Sequence, residues 1–327
     1  MAMKERDIPW ALFKLEALEK RLIPSHDAKE LLEIDFRKKR RQIRGEKRVE
    51  FPLSFLDEDK FEVLHNVRVE DEQGFFQIDT LVLSRKFGLI LEIKNWYGMI
   101  IFGENGQVTR IGDDKKEEGF PNPIPQAKLQ QYRLQKWLRK QGYPTLPIAY
   151  LIVISFPSTV IRPHPPATIP QEVIHNSQLT FSIRELENTY TNQYLSKKQL
   201  IKLLRTIMDA HTPEPILTLR KYNVHLNELV RGVFCPSCKR TIMQWRRQKW
   251  FCSGCYHIST DAHLSALNEY KLLINDYITN KEAIEFLRID SPNVVKNILQ
   301  KLQLQSTGNT KSRKYELEFY HTHLSKY

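Results

Sequence analysis

Apolar residues recur at three- and four-residue steps between Ile8 and Leu22, with Leu12, Leu15, Leu18 and Leu22 in one stripe, which predicts an amphipathic helix. Pro24-Ser25-His26-Asp27 breaks that helix, and Asp27 is placed to cap a second one beginning at Ala28. From Phe61 to Phe102 the period shortens toward two. Phe61–Val69 alternates loosely, Asp71-Glu72-Gln73-Gly74 reads as a turn, and Phe75–Ser84 and Leu89–Asn95 read as strands joined by a hairpin at Arg85–Gly88. Asn122-Pro123-Ile124-Pro125 introduces a helix from Gln126 to about Gln141, and Leu146–Phe156 is an almost unbroken apolar run, as a strand buried on both faces requires. Pro157–Pro170 reads as a loop, Glu172–Thr180 as a further strand and Leu195–His211 as a closing helix. Pro213 and Pro215 cannot continue that helix and mark a domain boundary. The pattern predicts an α/β sandwich with helices against a sheet.

Composition narrows the class. The 327 residues carry 50 Lys+Arg against 38 Asp+Glu, a net charge of +12, and 41% hydrophobic residues exclude global disorder. No apolar run approaches the roughly 18–20 residues of a membrane span, so a soluble, cytoplasmic protein of several domains with no membrane partner is expected. Four cysteines in a chain this long do not make a disulfide scaffold. The positive excess points to a polyanionic partner, and Arg37–Arg48 concentrates eight Lys/Arg around the single acid Glu46, a nucleic-acid contact or a solvated face.

The hairpin holds the most informative residues. Strand side chains alternate, so Glu92 and Lys94 share a face with Ile93 opposite, and Asp79 lies on the strand paired through the turn. Two carboxylates and an amine then converge in an otherwise apolar strand pair, where burying uncompensated ions costs several kcal/mol each, on the order of magnitude of a buried charge. Metal-assisted phosphodiester hydrolysis gives such a trio a use. Asp79, Glu92 and the Ile93 carbonyl offer hard oxygen ligands for Mg²⁺ or Mn²⁺, and Lys94 would position a water and offset charge on phosphorus. The competing reading is a strand-end salt bridge.

Asp79, Glu92, Ile93 and Lys94 resemble the D…E-x-K core of the PD-(D/E)xK nuclease superfamily. The wider segment resembles the nuclease-related domain (NERD) family in Gly45-Glu46, Val63–Val67, Gln77-Ile78-Asp79, Leu89–Gly98 and Asn122-Pro123 with Gln126, over about residues 30–145. The resemblance implies an α/β fold, a restriction-endonuclease-like mixed β-sheet flanked by helices, and a metal-dependent DNA nuclease. It also implies Glu46 as a helix-borne acid beside the metal and Gln126 as a polar helper; a surface acid and a helix cap are the alternatives. Thr80 stands where the family often has an aromatic residue or His.

Cys235, Cys238, Cys252 and Cys255 form C-x₂-C-x₁₃-C-x₂-C, two knuckles spaced for a structural Zn²⁺ in a zinc-ribbon-like module, with His257 as a spare ligand. Between them Arg246, Arg247 and Lys249 interleave with Trp245 and Trp250, which suits phosphates and unstacked bases or, alternatively, a small core under a solvated surface. Further on, Thr279 caps a short helix to Arg288, Ser291-Pro292 opens a second from Asn293 to Leu302, and Ser306–Leu317 reads as a basic hairpin. This pattern resembles a winged helix-turn-helix, with Asn293, Lys296 and Asn297 toward a groove and Lys311 and Arg313 on the wing.

The expected organisation is a helical segment over 1–30, the nuclease-related domain over 31–211, a linker over 212–230, a zinc-ribbon-like module over 231–262 and a winged helix-turn-helix-like α+β module over 263–327. The expected function is a metal-dependent nuclease acting on DNA, RNA remaining open. The rival is a non-catalytic DNA-binding or regulatory protein on a nuclease-like scaffold.

Overall fold

The computed structural model describes residues 10–103, 107–143, 145–165, 168–213, 219–309 and 312–320. They form a mixed α/β protein in which several sheets are flanked by helices. Helix α1 (Trp10–Arg21) carries the leucine stripe, and α2 (Lys29–Arg48) carries the basic run. Asp27 does not cap α2; His26 Nδ1 accepts the Ala28 N–H at 3.1 Å instead. The chain divides into two compact units, Arg41–Pro215 and Pro9–Arg40 with Ile216–Tyr327.

The first unit continues with α3 (Glu50–Leu53), β1 (Glu62–Asp71), β2 (Gly74–Leu83), β3 (Gly88–Lys94), β4 (Met99–Phe102), β5 (Gln107–Ile111), β6 (Glu117–Pro121) and α4 (Pro123–Lys140). Then come β7 (Ile148–Ile154), β8 (Val160–Pro163), β9 (Val173–His175), α5 (Leu179–Thr189) and α6 (Lys197–Ala210). A five-stranded sheet runs β1-β2-β3-β7-β9, antiparallel through β3 and parallel from β3 to β9. Its central strands β3 and β7 are apolar on both sides because helices cover both. On one face Leu134, Trp137 and Leu138 of α4 and Leu203, Leu204 and Ile207 of α6 pack on Leu64, Ile78, Leu81 and Ile90. On the other, Leu53 of α3 and Leu179 and Ile183 of α5 pack on Leu89, Leu91, Ile93 and Val153.

The alternation of β1 and β2 is broken once, at matching positions. Leu64 and Leu81 face α4 and α6, but so do Val67 and Ile78, an odd step away in each strand. The register pairs His65 with Thr80 and Val67 with Ile78, which leaves Asn66 opposite Asp79, and Asn66 has a left-handed φ of 53°. Asp79 therefore sits at a bend, where its side chain is released from the strict in–out rhythm.

A second sheet runs β6-β5-β4-β8. Part of the segment expected to be loop is β8, parallel to β4; as an edge strand ending in Pro163 it tolerates proline. The strand expected over Glu172–Thr180 shrinks to β9, because Leu179 and Ile183 recur at helical spacing and start α5. Helix α4 begins three residues before Gln126, at Pro123, since Asn122 Oδ1 accepts the Ile124 N–H at 2.9 Å and proline suits the first helical position.

The second unit adds β10 (Gln244–Arg246), β11 (Lys249–Phe251), β12 (Ile258–Ser259), α7 (Ala262–Leu273), β13 (Tyr277–Thr279), α8 (Asn280–Leu287), α9 (Pro292–Lys301), β14 (Ser306–Thr307) and β15 (Lys314–Glu316). Its two small sheets run β10-β11-β12 and β13-β15-β14. Thr279 caps α8 reciprocally with Glu282, whereas Ser291 makes no side-chain cap bond and α9 starts on Pro292. Among the described residues no helix is long and apolar enough to cross a membrane.

A charged residue anchors this unit. Arg21 is fully buried, donates through Nη1 to the Val230 carbonyl at 2.7 Å and stacks 4.2 Å over the Phe286 ring. Its Nη2 lies 2.5 Å from Glu269 Oε2, too oblique for a hydrogen bond, while Lys20 donates to Oε1 of the same carboxylate at 2.6 Å. Removing Arg21 alone leaves the buried Glu269 carboxylate held by Lys20 at one oxygen only and the Val230 carbonyl without this donor. Arg21→Met should therefore destabilise this unit by about 3–5 kcal/mol, and adding Glu269→Leu should recover most of it, as checked by urea unfolding.

Candidate functional site

The β2–β3 ladder ends at the Thr80–Leu91 pair, and beyond it the Ile93 N–H donates to Asp79 Oδ2 at 2.9 Å. The N–H and C=O of one strand residue point to the same edge, so the Ile93 carbonyl faces the Asp79 side as well. Ile93 packs its side chain into the α3–α5 layer. Glu92 and Lys94 project to the α4 side, where Lys94 Nζ donates to Glu92 Oε1 at 2.6 Å and to Gln126 Oε1 at 3.2 Å. Glu92 is only 2% exposed. Thr80 is buried 3.0 Å from His65 Nδ1.

Two further parts close the site. Glu46, 3% exposed, reaches it from the last turns of α2 and accepts from Gln42 Nε2 at 2.8 Å. Gly45 lets the helix come this close: a Cβ there would stand 2.4 Å from Asn95 Cβ and 2.9 Å from Ser155 Oγ. The contact is tied by Arg48, which donates to Asn95 Oδ1 at 2.7 Å, and by Asn95 Nδ2, which donates to the Arg41 carbonyl at 2.7 Å. Gln130 was not singled out in the sequence. It lies one turn beyond Gln126 and donates through Nε2 to Glu92 Oε2 at 2.9 Å and to the Gln77 carbonyl at 3.0 Å. Its Oε1 is buried with no partner among the described residues. The i, i+4 spacing of two glutamines at a helix start was the available signal.

Loss of water pushes the Asp79 carboxyl well above the usual carboxylate range, and the charges of Glu92 and Glu46 push it further against the weaker pull of the Ile93 N–H and Lys94. Asp79 and Glu92 thus meet beside Lys94, within reach of the Glu46 charge, and offer hard anionic oxygen of the kind a divalent cation such as Mg²⁺ takes.

The four cysteines meet in the second unit. Their Sγ atoms lie within 4.8 Å of one another, with Cys235–Cys255 at 3.6 Å, Cys238–Cys252 at 3.8 Å and Cys252–Cys255 at 3.6 Å. These spacings exceed a disulfide's and match the edge, roughly 3.8 Å, of a tetrahedron with Zn–S bonds of about 2.3 Å, so the cluster could bind zinc and is compatible with a zinc ribbon. The backbone N–H groups of Arg240 and Thr241 pull the Cys238 thiol down to about 6, as knuckle amides do for a thiolate.

The basic residues expected to touch nucleic acid are distributed over this unit. Arg246, Arg247 and Lys249 are exposed on the β10–β11 hairpin, whose turn has φ of 47° at Arg247 and 63° at Gln248. Trp250 is not a platform beside them: it is fully buried, donating to His263 Nδ1 at 3.1 Å, with Trp245 edge-on at 5.1 Å. Asn293, Lys296 and Asn297 are exposed on α9; Arg313 is half-buried before β15, and Lys311 lies outside the described residues.

The direction of the Asp79 shift fixes a pH signature. Because its carboxyl holds a proton longer folded than unfolded, metal-free stability should fall as pH rises from about 4 through the folded-state value. Asp79→Asn should therefore melt higher than the parent in chelator at neutral pH, with the gap closing near pH 4, as read by thermal unfolding.

The family model of the nuclease-related domain (NERD) matches residues 41–155. An uncharacterized protein of Bacillus anthracis, pXO1-01, is 27% identical over 172 residues, 51% of this chain and 75% of that protein. No solved structure matches the chain. Over residues 41–155, the stretch that builds the carboxylate and lysine site, the chain carries a nuclease-related domain.

Proposed function

We propose that the protein is a metal-dependent nuclease that hydrolyses phosphodiester bonds in DNA. The observation that carries this reading is the meeting of Asp79, Glu92 and Lys94 at the end of β3, with the Glu46 charge adding to that of Glu92 on the Asp79 carboxyl. A salt bridge would need one carboxylate. A second buried carboxylate beside the same amine destabilises the free protein and gains a use with a cation and a phosphate present.

Asp79 and Glu92, with the Ile93 carbonyl, would hold Mg²⁺ or Mn²⁺, which supplies polarisation of the phosphate and a more acidic bound water. The chain's own groups do the positioning. The Ile93 N–H fixes one oxygen of Asp79, and Gln130 fixes Oε2 of Glu92, so both carboxylates enter the reaction already oriented. Lys94, aimed by Glu92 and Gln126, places an ammonium where a water attacks and where charge grows on the phosphoryl oxygens. Glu46 adds a further acid from α2. In the second unit, Zn²⁺ on Cys235, Cys238, Cys252 and Cys255 would be fully ligated and hence structural. The exposed cations Arg246, Arg247 and Lys249, and the polar face Asn293, Lys296 and Asn297 of a winged-helix-like fold, would hold the nucleic acid.

Lys94→Ala should lower Mg²⁺- or Mn²⁺-dependent cleavage of DNA by about 10²–10³-fold with DNA affinity little changed, measured on supercoiled, linear and single-stranded DNA and on RNA. Salt-sensitive binding by the parent protein with no divalent-dependent turnover on any of these would instead identify a non-catalytic binder. For the second unit, metal analysis should return one zinc per chain, and chelation should release it while shifting the Trp245 and Trp250 emission to the red as the knuckles unfold.

A further inference from the structure

At the same end of the five-stranded sheet as the carboxylate site, on its α3–α5 face, the first unit has a cleft of about 560 Å³ lined by Phe51, Phe55, Ser155, Asn176, Phe181 and Arg184 among others, and no acidic side chain among the described residues lines it. Three phenylalanines stand open to water: Phe51 is 72% exposed, Phe181 64% and Phe55 56%. The core does not need them, since Leu53 of α3 and Leu179 and Ile183 of α5 already do the packing. Phe55 stands edge-on to Phe51 at 5.1 Å with the planes at 90°, so the two rings brace one another without shielding either from solvent.

We propose that this cleft takes an unstacked nucleobase from the single strand whose phosphate lies at the carboxylate site, a deepening that rests on the nuclease reading of that site. The cleft and the site share their backbone. The Ser155 N–H donates to the Lys94 carbonyl at 3.0 Å, and Asn176 Nδ2 donates at 3.1 Å to the carbonyl of Arg48, two residues after Glu46. The lining charge is cationic, from Arg184, and Arg44 and Lys47 are exposed on the helix that supplies Glu46. Asn176 Oδ1 is buried with no hydrogen-bond partner among the described residues, an acceptor without a donor. A base edge carries such a donor in its exocyclic amine or ring imide, which an aliphatic peptide side chain lacks. Phenyl faces with an arginine beside them are the surfaces on which successive bases of a single strand stack.

The test uses the full zinc-loaded chain with no Mg²⁺ or Mn²⁺ added, so that binding is read without cleavage, and fluorescence anisotropy of a labelled single-stranded DNA, an RNA of the same sequence and a blunt duplex. Replacing Phe51 and Phe181 together by Ala should cost about tenfold in single-strand affinity while leaving the duplex unchanged. Arg184→Ala, also on the surface, should weaken the single strand in the same direction. A loss on DNA alone or on both strands names the source of the base and upholds the proposal. Unchanged single-strand affinity in both variants, or an equal loss on the duplex, overturns it. If single-strand affinity is unchanged and the parent self-associates where the double variant does not, the cleft is a protein-docking face and the base assignment falls. Divalent-dependent cleavage is scored apart: its absence with base binding intact sinks the nuclease reading alone, and the reverse sinks this proposal alone.

Discussion

Like charges forced together at the end of a buried strand set the terms for the nuclease-related domain. Glu92 emerges from a β3 run in which every residue before it is apolar, and Asp79 is held at the bend of β2 by the amide of Ile93. The apolar cover supplied by α4 and α6 on one face and α3 and α5 on the other is what removes the water that would otherwise spread this charge. The sheet therefore keeps its carboxylates in tension, and the single ammonium of Lys94 relieves it only in part. Such a site trades stability for a standing affinity toward positive charge.

The strands that build the site were readable from sequence because their constraints are local. Alternation places Glu92 and Lys94 on one face, and the continuous apolar run of β7 announces burial on both. Glu46 was legible only through the family resemblance, since an acid inside a basic helix has no local mark of its own. Gln130 was hidden because its role depends on how α4 lies across the sheet, a tertiary fact. Most of the second sheet leaves no mark in the sequence: β4 falls at the end of the strand-like stretch Phe61–Phe102 without standing out, β5 and β6 are five residues long, and β8 ends in proline, so none carries enough periodicity. Helix α5 has no counterpart in the sequence reading: the strand expected over Glu172–Thr180 contains β9 and only the first two residues of the helix.

The second unit shows the same division. Cysteine spacing is a strong signal because coordination geometry tolerates few alternatives, and the sulfurs meet at tetrahedral distances. Tryptophan beside cations is weak, because a small module has little else with which to fill its interior; Trp250 goes inside and leaves the cations outside.

Gly45 carries a consequence beyond its own contact. With no side chain to hold them apart, helix and sheet meet backbone to side chain, so the spacing from Glu46 to Asp79 is read off hard atomic radii and not off adjustable packing. A ruler made of contact distances cannot be retuned by small repacking elsewhere. The third acid is consequently an all-or-nothing component, delivered in full by one missing methyl group or withdrawn with the whole helix end.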